Sequence, residues 1–365
     1  MRHATGSPAR TLAEVGEFAL IAAITDGLPA GDAVIIGPGD DAAALDLGSP
    51  VLTSIDLLVE GVHFRRDWSD AQSVGRKAVA VNVADIEAMG GTARAIVVGF
   101  SAPGDLAADW ALEFAAGLRE EAAYAGVSLV GGDLTRSTRD IAIAVTVLGS
   151  AAGPVVRRSG AGAGNVVALI GRTGWAAAGL TVLGRGFRSP RAAVDAYRVP
   201  EVPYGAGAVA AAAGATAMID VSDGLLADLG HLADASGVVI DLRRDAFEIP
   251  EPLQVVSAAT GIDPYALVLT GGEDHALAAT FPAGAVIPAE WRVIGTVREA
   301  SGSDEANRSD EANRSDEANG DSGSDGSVES DESVGESGPR VLVDGTPWEG
   351  ATGWDHFRPG QRGSR

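Results

Sequence analysis

The 365-residue sequence contains no cysteine. This absence excludes disulfide frameworks, zinc thiolate sites and thiol nucleophiles, although it leaves the redox compartment open. Histidine is also scarce, with five residues in the chain. Carboxylate and hydroxyl oxygens are therefore the main candidate metal ligands. Such oxygens suit Mg²⁺, a hard cation that keeps several of its waters when it binds a protein.

Positive charge is the second shortage. The chain has 27 Lys and Arg residues against 50 Asp and Glu, for a net charge of −23, and Lys77 is its only lysine. The phosphate backbone of nucleic acid and an anionic membrane surface would both repel such a chain, so we expect neither as a partner. A nucleotide is still acceptable where metal ions bridge it. Adaptation to high salt is an alternative explanation of the acidity.

Long apolar runs are missing as well. Residues 1–10 have no apolar core of signal-peptide length, and later apolar stretches are interrupted before they could span a bilayer. We therefore expect a cytoplasmic protein. The hydrophobic content of 46% over 365 residues is enough for substantial cores, and the length favours two domains.

Hydrophobic patterning predicts an α/β (α+β) fold. Runs rich in Val, Ile and Leu predict buried strands in the first half, at 51–59, 95–100, 127–130 and 141–148. Apolar residues three and four apart predict helices at 71–89 and 106–125. The second half repeats the alternation, with strands expected at 166–170, 217–220 and 238–242. A helix is expected at 225–235, with Ser222 or Asp223 as its cap.

A segment rich in Gly, Ala, Pro and Arg, residues 149–164, marks the expected domain boundary. We assign 1–150 to an N-terminal domain, and 151–300 with 339–360 to a C-terminal domain. Residues 301–338 repeat Ser-Asp-Glu-Ala-Asn three times and hold twelve acidic residues against two arginines. This composition predicts a disordered insertion whose removal is tolerated, because loop entropy grows only logarithmically with length. A calcium site is the weaker alternative, since the repeat lacks a glycine turn and a terminal bidentate glutamate.

Five short segments combine aspartate with glycine, a hydroxyl residue or an apolar stretch, a pattern typical of sites for metal-bridged phosphates. They are residues 37–41, 53–56, 82–86, 131–133 and 220–224. Each has an ordinary alternative, such as a surface turn, a polar strand end, an exposed helix charge or a helix cap. The conjunction of all five in one chain favours a shared site. The last opens a predicted helix, whose N-terminal N–H groups could bind phosphate.

The sequence has neither a Walker A segment nor a protein-kinase catalytic loop, so phosphoryl transfer would need another architecture. Arg157 and Arg158, at the domain boundary, could pair phosphate oxygens or lie in a solvated linker. His63 on its own is more typical of a structural histidine at a strand end.

Together these segments resemble the thiamine-monophosphate kinase family, over nearly the whole chain except the acidic insertion. The matching motifs are Gly-Pro-Gly-Asp-Asp at 37–41, Leu-Val-Glu-Gly-Val-His-Phe at 58–64, Lys-Ala-Val-Ala-Val-Asn-Val-Ala-Asp at 77–85, Gly-Gly-Asp-Leu-Thr-Arg at 131–136, residues 220–230 and Leu-Thr-Gly-Gly-Glu-Asp at 269–274. The resemblance implies a two-domain fold like that of aminoimidazole ribonucleotide synthetase, in which the first domain, 1–150, binds ATP and Mg²⁺ and usually forms the dimer. It also implies transfer of the ATP γ-phosphoryl group to thiamine monophosphate, giving thiamine diphosphate.

The resemblance further implies roles for individual residues. Several Mg²⁺ ions would be held by Asp41, Ser54, Ile55, Asp56, Asp85, Asp133, Asp220 and Asp223. Of these, Asp41, Asp85 and Asp220 would be the catalytic ligands. ATP, as co-substrate, would contact Gly132, Arg158 and Ser222. Thiamine monophosphate would face His63, Glu273 and Trp354.

Two of these positions depart from the family pattern. Ile55 stands where the family commonly has Thr, so only its backbone carbonyl is left as a possible ligand. Trp354 stands where another aromatic residue is frequent, and its larger ring can still stack on a cationic thiazolium or a pyrimidine. The first departure bears on the number of metal ions, and the second should leave substrate choice intact.

The implied chemistry agrees with the residue inventory. An acceptor phosphate with a second pKa of about 6 is mostly dianionic at neutral pH and needs no catalytic base. The nearest rivals are sister ATP-using enzymes of the same fold: selenophosphate synthetase, a hydrogenase-maturation dehydratase and aminoimidazole ribonucleotide synthetase. The first two typically carry a reactive cysteine, which this chain lacks. A non-catalytic protein that binds nucleotide or divalent ions is the rival from another class.

Overall fold

The computed structural model describes residues 11–15, 20, 23–28, 31–36, 44–47, 50–300 and 340–354. Three sequence predictions fall outside these residues. They concern the aspartate-containing segment 37–41 with Asp41, the acidic insertion 301–338, and the end of the C-terminal domain, 355–360.

The first half builds a four-stranded sheet covered by two long helices. Its helices are α1 (Leu12–Val15), α2 (Ala71–Ala88) and α3 (Ala108–Ala125), and its strands are β1 (Val34–Ile36), β2 (Ala44–Leu45), β3 (Val51–Val59), β4 (Thr92–Pro103), β5 (Ser128–Ser137) and β6 (Ala142–Ser150). The sheet order is β3–β6–β4–β5, with β4 and β5 parallel and the other pairs antiparallel. Strands β1 and β2 form a separate antiparallel pair. Helices α2 and α3 pack on one face of the larger sheet.

The edge strand β3 has one covered face and one open face within this chain. The side chains of Ser54 and Asp56 alternate with those of Val51, Ile55 and Leu57, which are 51%, 63% and 53% exposed. The strand was predicted correctly, but the expectation that it is buried is wrong. A run of apolar residues does not show whether a second layer covers both faces of a strand.

Glycine lets α2 and α3 approach closely enough to bury α2 almost completely. A Cβ atom at Gly75 would overlap the carbonyl oxygen of Phe114, and one at Gly117 would overlap that of Gln72. The first turn of α2 is capped by Asp70, whose side chain accepts a hydrogen bond from the Ser73 N–H at 2.7 Å. The helix is therefore held rigidly against the sheet.

The second half is a seven-stranded sheet with helices on both faces. Its helices are α4 (Trp175–Gly184), α5 (Arg191–Arg198), α6 (Ala206–Ala212), α7 (Leu225–Ser236), α8 (Glu251–Thr260) and α9 (Pro264–Thr270), with a 3₁₀ turn at Arg244–Ala246. Its strands are β7 (Val166–Ile170), β8 (Ala217–Val221), β9 (Val238–Leu242), β10 (Ala276–Phe281), β11 (Arg292–Glu299), β12 (Val341–Val343) and β13 (Thr346–Pro347). The order is β13–β12–β9–β11–β7–β10–β8. Strands β9 and β12 pair in parallel, and the other pairs are antiparallel.

The two faces of this sheet belong to different cores. Ile219 points into the core formed with α4, α5, α7, α8 and α9, whereas its neighbour Met218 points to the opposite core, which includes α6 and Ala88 at the end of α2. Glu87 of α2 accepts hydrogen bonds from the N–H groups of Gly205 and Gly207 at 2.8 and 2.9 Å. The end of α2 is thus docked on the second half of the chain.

Most predicted elements are confirmed. Strands 166–170 and 238–242 have the predicted bounds, and the predicted helix appears as α7, with Leu225, Leu229 and Leu232 fully buried. The α/β fold class is confirmed with them. Within the described residues, no helix combines the length and apolar character that a bilayer-spanning segment requires.

Two local predictions are wrong. Neither Ser222 nor Asp223 caps α7: the N-cap residue is Gly224, at φ 131°, and it makes no side-chain cap bond. The segment 131–133 does not end a strand but lies inside β5. The glycines at 131 and 132 were interpreted as the end of a strand, whereas Gly132 is required by the close approach of the Val98 backbone across the sheet.

Candidate active site

Strand β3 and helix α2 meet through polar side chains. The Ser54 hydroxyl donates to Asp85 Oδ2 at 2.6 Å. The backbone N–H of Asp56 donates to Asn82 Oδ1 at 3.0 Å, and Asn82 is completely buried. Asn82 and Asp85 lie three residues apart on α2 and so share one side of it. The side chain of Asp85 therefore faces strand β3 and not solvent.

The carboxylates here perturb one another. Burial raises the pKa of Asp85 to about 7, and the negative charges of Asp220 and Asp56 add to this rise. Burial also raises the pKa of Asp56, a shift that the charge of His275 opposes and those of Asp220 and Glu273 reinforce. Asp56, Asp85 and Asp220 are distant in sequence but lie close enough together for their charges to alter one another's electrostatic environment.

Asp220 lies in the fully buried strand β8 beside a histidine that sequence reasoning did not select. His275 Nδ1 lies 3.1 Å from Asp220 Oδ2, and both side chains are buried. Burial alone would lower the pKa of His275, but the hydrogen bond and negative charge of Asp220 outweigh it and raise the pKa to about 9. Asp220 thus faces a cation on one side.

The loop before β10 sends three consecutive side chains in different directions. Glu273 pairs with Lys77 through Oε2 and Nζ at 2.6 Å, and His275 reaches Asp220. Between them, Asp274 is buried and accepts hydrogen bonds from the N–H groups of Gly174 and Ala176 at the start of α4. Glu273 and His275 have positive φ values of 70° and 52°. Such backbone strain in non-glycine residues is concentrated at functional sites.

The turn before α7 is hydrogen-bonded to a side chain in the first turn of the helix itself. The Asp228 carboxylate accepts hydrogen bonds from the N–H groups of Asp223 and Gly224 at 3.1 and 3.0 Å. Burial raises the pKa of Asp228 to about 7, and Asp220 contributes to the rise. Two of the N–H groups expected to meet phosphate thus already have a carboxylate partner.

The three predicted substrate-facing residues converge on this region. The N–H of Trp354 donates to the carbonyl oxygen of Asp223 at 2.9 Å, and the N–H of Glu273 donates to that of Ser222 at 2.7 Å. His63 lies close enough to Glu273 to lower its pKa electrostatically. His63 Nδ1 also accepts a hydrogen bond from the Val59 N–H at 3.0 Å, which orients the ring.

Three other predicted residues lie elsewhere. Asp56 on β3 is aligned across the sheet with Val145 on β6, Val98 on β4 and Gly132 on β5. Gly132 and its neighbour Asp133 therefore lie three strands away, at the opposite edge of the sheet, about 14 Å from Asp56. Arg158 is exposed, and its carbonyl oxygen accepts from the Ser236 hydroxyl at the far end of α7, about 18 Å along the helix from Ser222. Within one described chain these residues do not join the aspartate cluster.

The donor set around Asp56 fits a hard divalent cation. Carboxylates and a serine hydroxyl are oxygen ligands of the kind Mg²⁺ prefers, and a cation would remove the mutual repulsion that raises their pKa values. Among the described residues, no three His, Asp or Glu side chains stand close enough together to hold a metal ion. Asp41 lies outside them. Ile55 directs its side chain to the open face of β3, so a role for its carbonyl oxygen stays a prediction.

Sequence reasoning missed four residues at the site: Lys77, Asn82, His275 and Asp228. Lys77 was noted as the only lysine, and Asn82 lay inside a recognised motif, but neither was given a role. Lys77, Asn82 and His275 have partners on other elements, so no local spacing could have revealed those contacts. Asp228 instead accepts from N–H groups four and five residues before it, a local contact that was overlooked. The signal available was that each is a polar residue inside an otherwise apolar pattern, where burial demands a partner.

Comparison with known proteins identifies the family. Residues 39–151 match the model of the AIR synthase related protein N-terminal domain, and residues 162–304 match that of its C-terminal domain. A thiamine-monophosphate kinase of Mycobacterium tuberculosis is 43% identical over 367 residues, which cover 99% of this chain and 98% of the relative. The chain belongs to the thiamine-monophosphate kinase family. Another family member, from Corynebacterium glutamicum, is 38% identical over 80% of this chain and 89% of its own.

Solved structures of the thiamine-monophosphate kinase family share the fold. The Aquifex aeolicus kinase has a TM-score of 0.65 and 31% identity, covering 68% of this chain and 86% of its own. A structure described as AaThiL complexed with AMPPCP and TMP has a TM-score of 0.69 and 28% identity, covering 96% of this chain and 100% of its own. A hydrogenase maturation protein HypE in complex with ATP, at 22% identity and a TM-score of 0.60, is similar in fold.

Proposed function

We propose that this protein transfers the γ-phosphoryl group of ATP to thiamine monophosphate, forming thiamine diphosphate and ADP. The observation that carries the proposal is the convergence of Asp56, Asp85 and Asp220 in one electrostatic field, in a chain that matches thiamine-monophosphate kinases over nearly its full length. The relative complexed with AMPPCP and TMP supports ATP and thiamine monophosphate as the two substrates.

The reaction needs alignment and charge neutralisation more than acid–base catalysis. A terminal oxygen of the acceptor phosphate forms a bond to the γ-phosphorus, and the bond from that phosphorus to the β–γ bridging oxygen breaks, leaving ADP. Because the acceptor is mostly dianionic at neutral pH, no side chain has to remove a proton. The obstacle is repulsion between two anions.

Mg²⁺ is the cofactor we propose, held by Asp56, Asp85 and Asp220 with Ser54, and by Asp41 and Asp223 through the roles implied by the resemblance. When bound, it supplies positive charge between the two phosphate groups. The chain's own contribution is to present the carboxylates: the Ser54 hydroxyl orients Asp85, and His275 orients Asp220. Roles for Ile55, Asp133, Gly132, Arg158 and Ser222 at metal or ATP stay proposals.

Substrate recognition is proposed for His63, Glu273 and Trp354. Glu273 offers a carboxylate to the cationic ring or aminopyrimidine of the acceptor. Trp354 is 40% exposed, and its backbone N–H donates to the carbonyl oxygen of Asp223. Its indole ring offers an aromatic face to the same rings. A cytoplasmic location stays a prediction from the sequence.

The test is an incubation of the full chain with ATP, Mg²⁺ and thiamine monophosphate, followed by chromatographic separation of thiamine diphosphate and ADP, beside a control without acceptor. We expect the two products in equal amounts and none without Mg²⁺. ADP with free phosphate but without thiamine diphosphate would move the assignment to another ATP-using enzyme of this fold. Binding of ATP without any product would favour a non-catalytic protein.

We also propose a homodimer formed through the first half of the chain. The outward face of β3 presents Val51, Ile55 and Leu57 to solvent along an edge strand, and apolar edges of this kind are normally covered. A second copy supplies a matching apolar face. Sedimentation equilibrium of the wild type and of Ile55→Asp tests this: we expect a dimer and a monomer respectively, and a monomeric wild type would contradict it.

A further inference from the structure

Lys77 is the least exposed basic side chain around the site and contacts three separate segments. It lies on α2, and the residue is 2% exposed. Its ammonium group is 2.6 Å from Glu273 Oε2 and donates to the carbonyl oxygen of His63 at 3.2 Å. It also lies 5.0 Å from the centroid of the Tyr197 ring on α5. One ammonium thus joins a helix of the first half to a loop and a helix of the second.

Glu273 is presented differently from its partner. Its side chain is 40% exposed, so the carboxylate is held by Lys77 on one side and open on the other. Burial would raise the pKa of Glu273, but the charge of Lys77 and then that of His275 lower it to about 2, so the group stays a carboxylate. An anion held at the edge of an open site is suited to receive a cation.

The backbone around Glu273 is strained and anchored at three points. Glu273 itself has a φ of 70°, in the left-handed region that is strained for a non-glycine residue. Its N–H bonds to Ser222, the side chain of Asp274 bonds to the start of α4, and the N–H of His275 bonds to Val221. These anchors set where the side chain of Glu273 begins, but they do not set its rotamer. The Lys77 ammonium is the contact that does.

We propose that Lys77 is a positioning residue for substrate recognition: it orients the Glu273 carboxylate toward the cationic ring of thiamine monophosphate. The inference rests on the proposed function for the identity of the acceptor. Lys77 does not contact the acceptor in this account and acts through Glu273. A long carboxylate side chain without this partner would sample several rotamers, and binding the acceptor would have to order it.

The proposal predicts different effects on the binding of the two substrates. The contacts of Lys77 are Glu273, His63 and Tyr197, whereas the residues proposed for ATP are Gly132, Arg158 and Ser222. Loss of the ammonium should therefore weaken binding of thiamine monophosphate and leave that of AMPPCP nearly unchanged. A purely structural role between the two halves would weaken both or neither.

The experiment compares Lys77→Met, Lys77→Arg and Glu273→Gln with the wild type, by calorimetric titration of thiamine monophosphate and, separately, of AMPPCP with Mg²⁺. For Lys77→Met we expect the Kd for thiamine monophosphate to rise at least about 10-fold, a loss of about 1.4 kcal/mol, and that for AMPPCP to stay within about 2-fold. Lys77→Arg should recover most of the loss, because a guanidinium can donate to both Glu273 and His63.

Arg76→Met is the matched control. Arg76 neighbours Lys77 on α2 and pairs with the buried carboxylate of Glu121 at 2.8 Å, so its loss also removes a buried ion pair from this helix. We expect it to lower the melting temperature without a selective change in the Kd for thiamine monophosphate. The double variant Lys77→Met with Glu273→Gln should bind no more weakly than Glu273→Gln alone, because Lys77 acts through Glu273.

Each remaining outcome decides the matter. Wild-type affinity in Lys77→Met, tighter binding of thiamine monophosphate, or equal loss of both ligands would overturn the proposal. If Lys77→Met does not fold, Lys77→Gln takes its place, and an unchanged Kd for thiamine monophosphate in that variant would overturn the proposal instead. If the variants show this pattern of affinities but the wild type makes no thiamine diphosphate, the proposed function is refuted and the positioning role stands. A wild type that does not bind thiamine monophosphate would refute both.

Discussion

Asp85 is the carboxylate for which we propose the largest contribution to the site's chemistry. It is placed on a rigid helix, accepts a hydrogen bond from Ser54 at 2.6 Å and feels the charges of Asp56 and Asp220. An aspartate kept at such a position at the expense of electrostatic repulsion is typical of a functional site rather than of a stabilising one. Its value to the protein should therefore appear in catalysis and not in stability.

We expect Asp85→Asn to lower kcat by at least about 100-fold while leaving the fold intact. Asparagine has the same shape and can still accept the Ser54 hydroxyl through Oδ1, but it carries no charge for a cation. The measurement is kcat for thiamine diphosphate formation together with thermal unfolding. The control is Asp234→Asn, which neutralises an exposed aspartate paired with Arg340 near the other end of α7. Substantial activity in Asp85→Asn would remove Asp85 from the catalytic set.

Side-chain partners were the part of the site that the sequence could not supply. The segments containing Asp56, Asp85 and Asp220 were identified because short motifs place aspartate beside glycine, serine or an apolar run. The Lys77–Glu273 and Asp220–His275 pairs join residues on different elements, so their existence depends on how helices and loops pack. Periodicity reports the local conformation of an element and says nothing about which distant residue meets it.

Helices α2 and α3 depend on glycine where their backbones nearly touch. At Gly117 an added Cβ would meet the Gln72 backbone, which cannot move away as a flexible side chain could. At Gly230 in α7, by contrast, nothing lies within 4 Å of an added Cβ. The two positions offer the same substitution with opposite consequences.

Gly117→Ala should destabilise the protein by about 1–3 kcal/mol through overpacking. Gly230→Ala should stabilise it by about 0.5–1 kcal/mol, because alanine reduces the freedom of the unfolded helix segment without a clash. Urea unfolding of both variants measures the two changes. Equal effects of the two substitutions would show that α2 and α3 are not locked at this crossing.

Elements were predicted more reliably than their ends and environments. Strands β7 and β9 have the predicted bounds because each is a run of five residues rich in Val, Ile and Leu, which is too short for a typical helix. The cap of α7 was wrong because Asp228, one turn inside the helix, takes the N–H groups that Ser222 or Asp223 was expected to take. The open face of β3 was missed because burial depends on which neighbouring layers exist, and these are not encoded in the strand itself.

The acidic segment 301–338 connects two strands, β11 and β12, whose ends lie close together. Strand β11 ends at Glu299, paired with Val238, and strand β12 begins at Val341, paired with Ile240. Both flank β9 at its start, so the two ends lie about 10 Å apart across one strand. A short connection would suffice to join them.

Replacing residues 303–337 with a linker of about eight Gly and Ser residues should leave kcat/KM within about 2-fold, since such a linker spans the gap. The melting temperature should not fall, because shortening a loop reduces its closure entropy. The same assay for thiamine diphosphate, with a thermal scan, checks both statements. A large loss of activity in a folded variant would give the segment a role that its composition does not predict.

Because Lys77 is buried, the surface of the folded protein has no reactive lysine amine. It is the only lysine of the chain, and it is held in an ion pair at 2% exposure. Amine-reactive dyes and cross-linkers therefore find no lysine side chain on the outside of the folded protein. Reaction at Lys77 would instead report that the junction between α2 and the Glu273 loop has opened, so a simple acylation reagent becomes a probe of unfolding at the site.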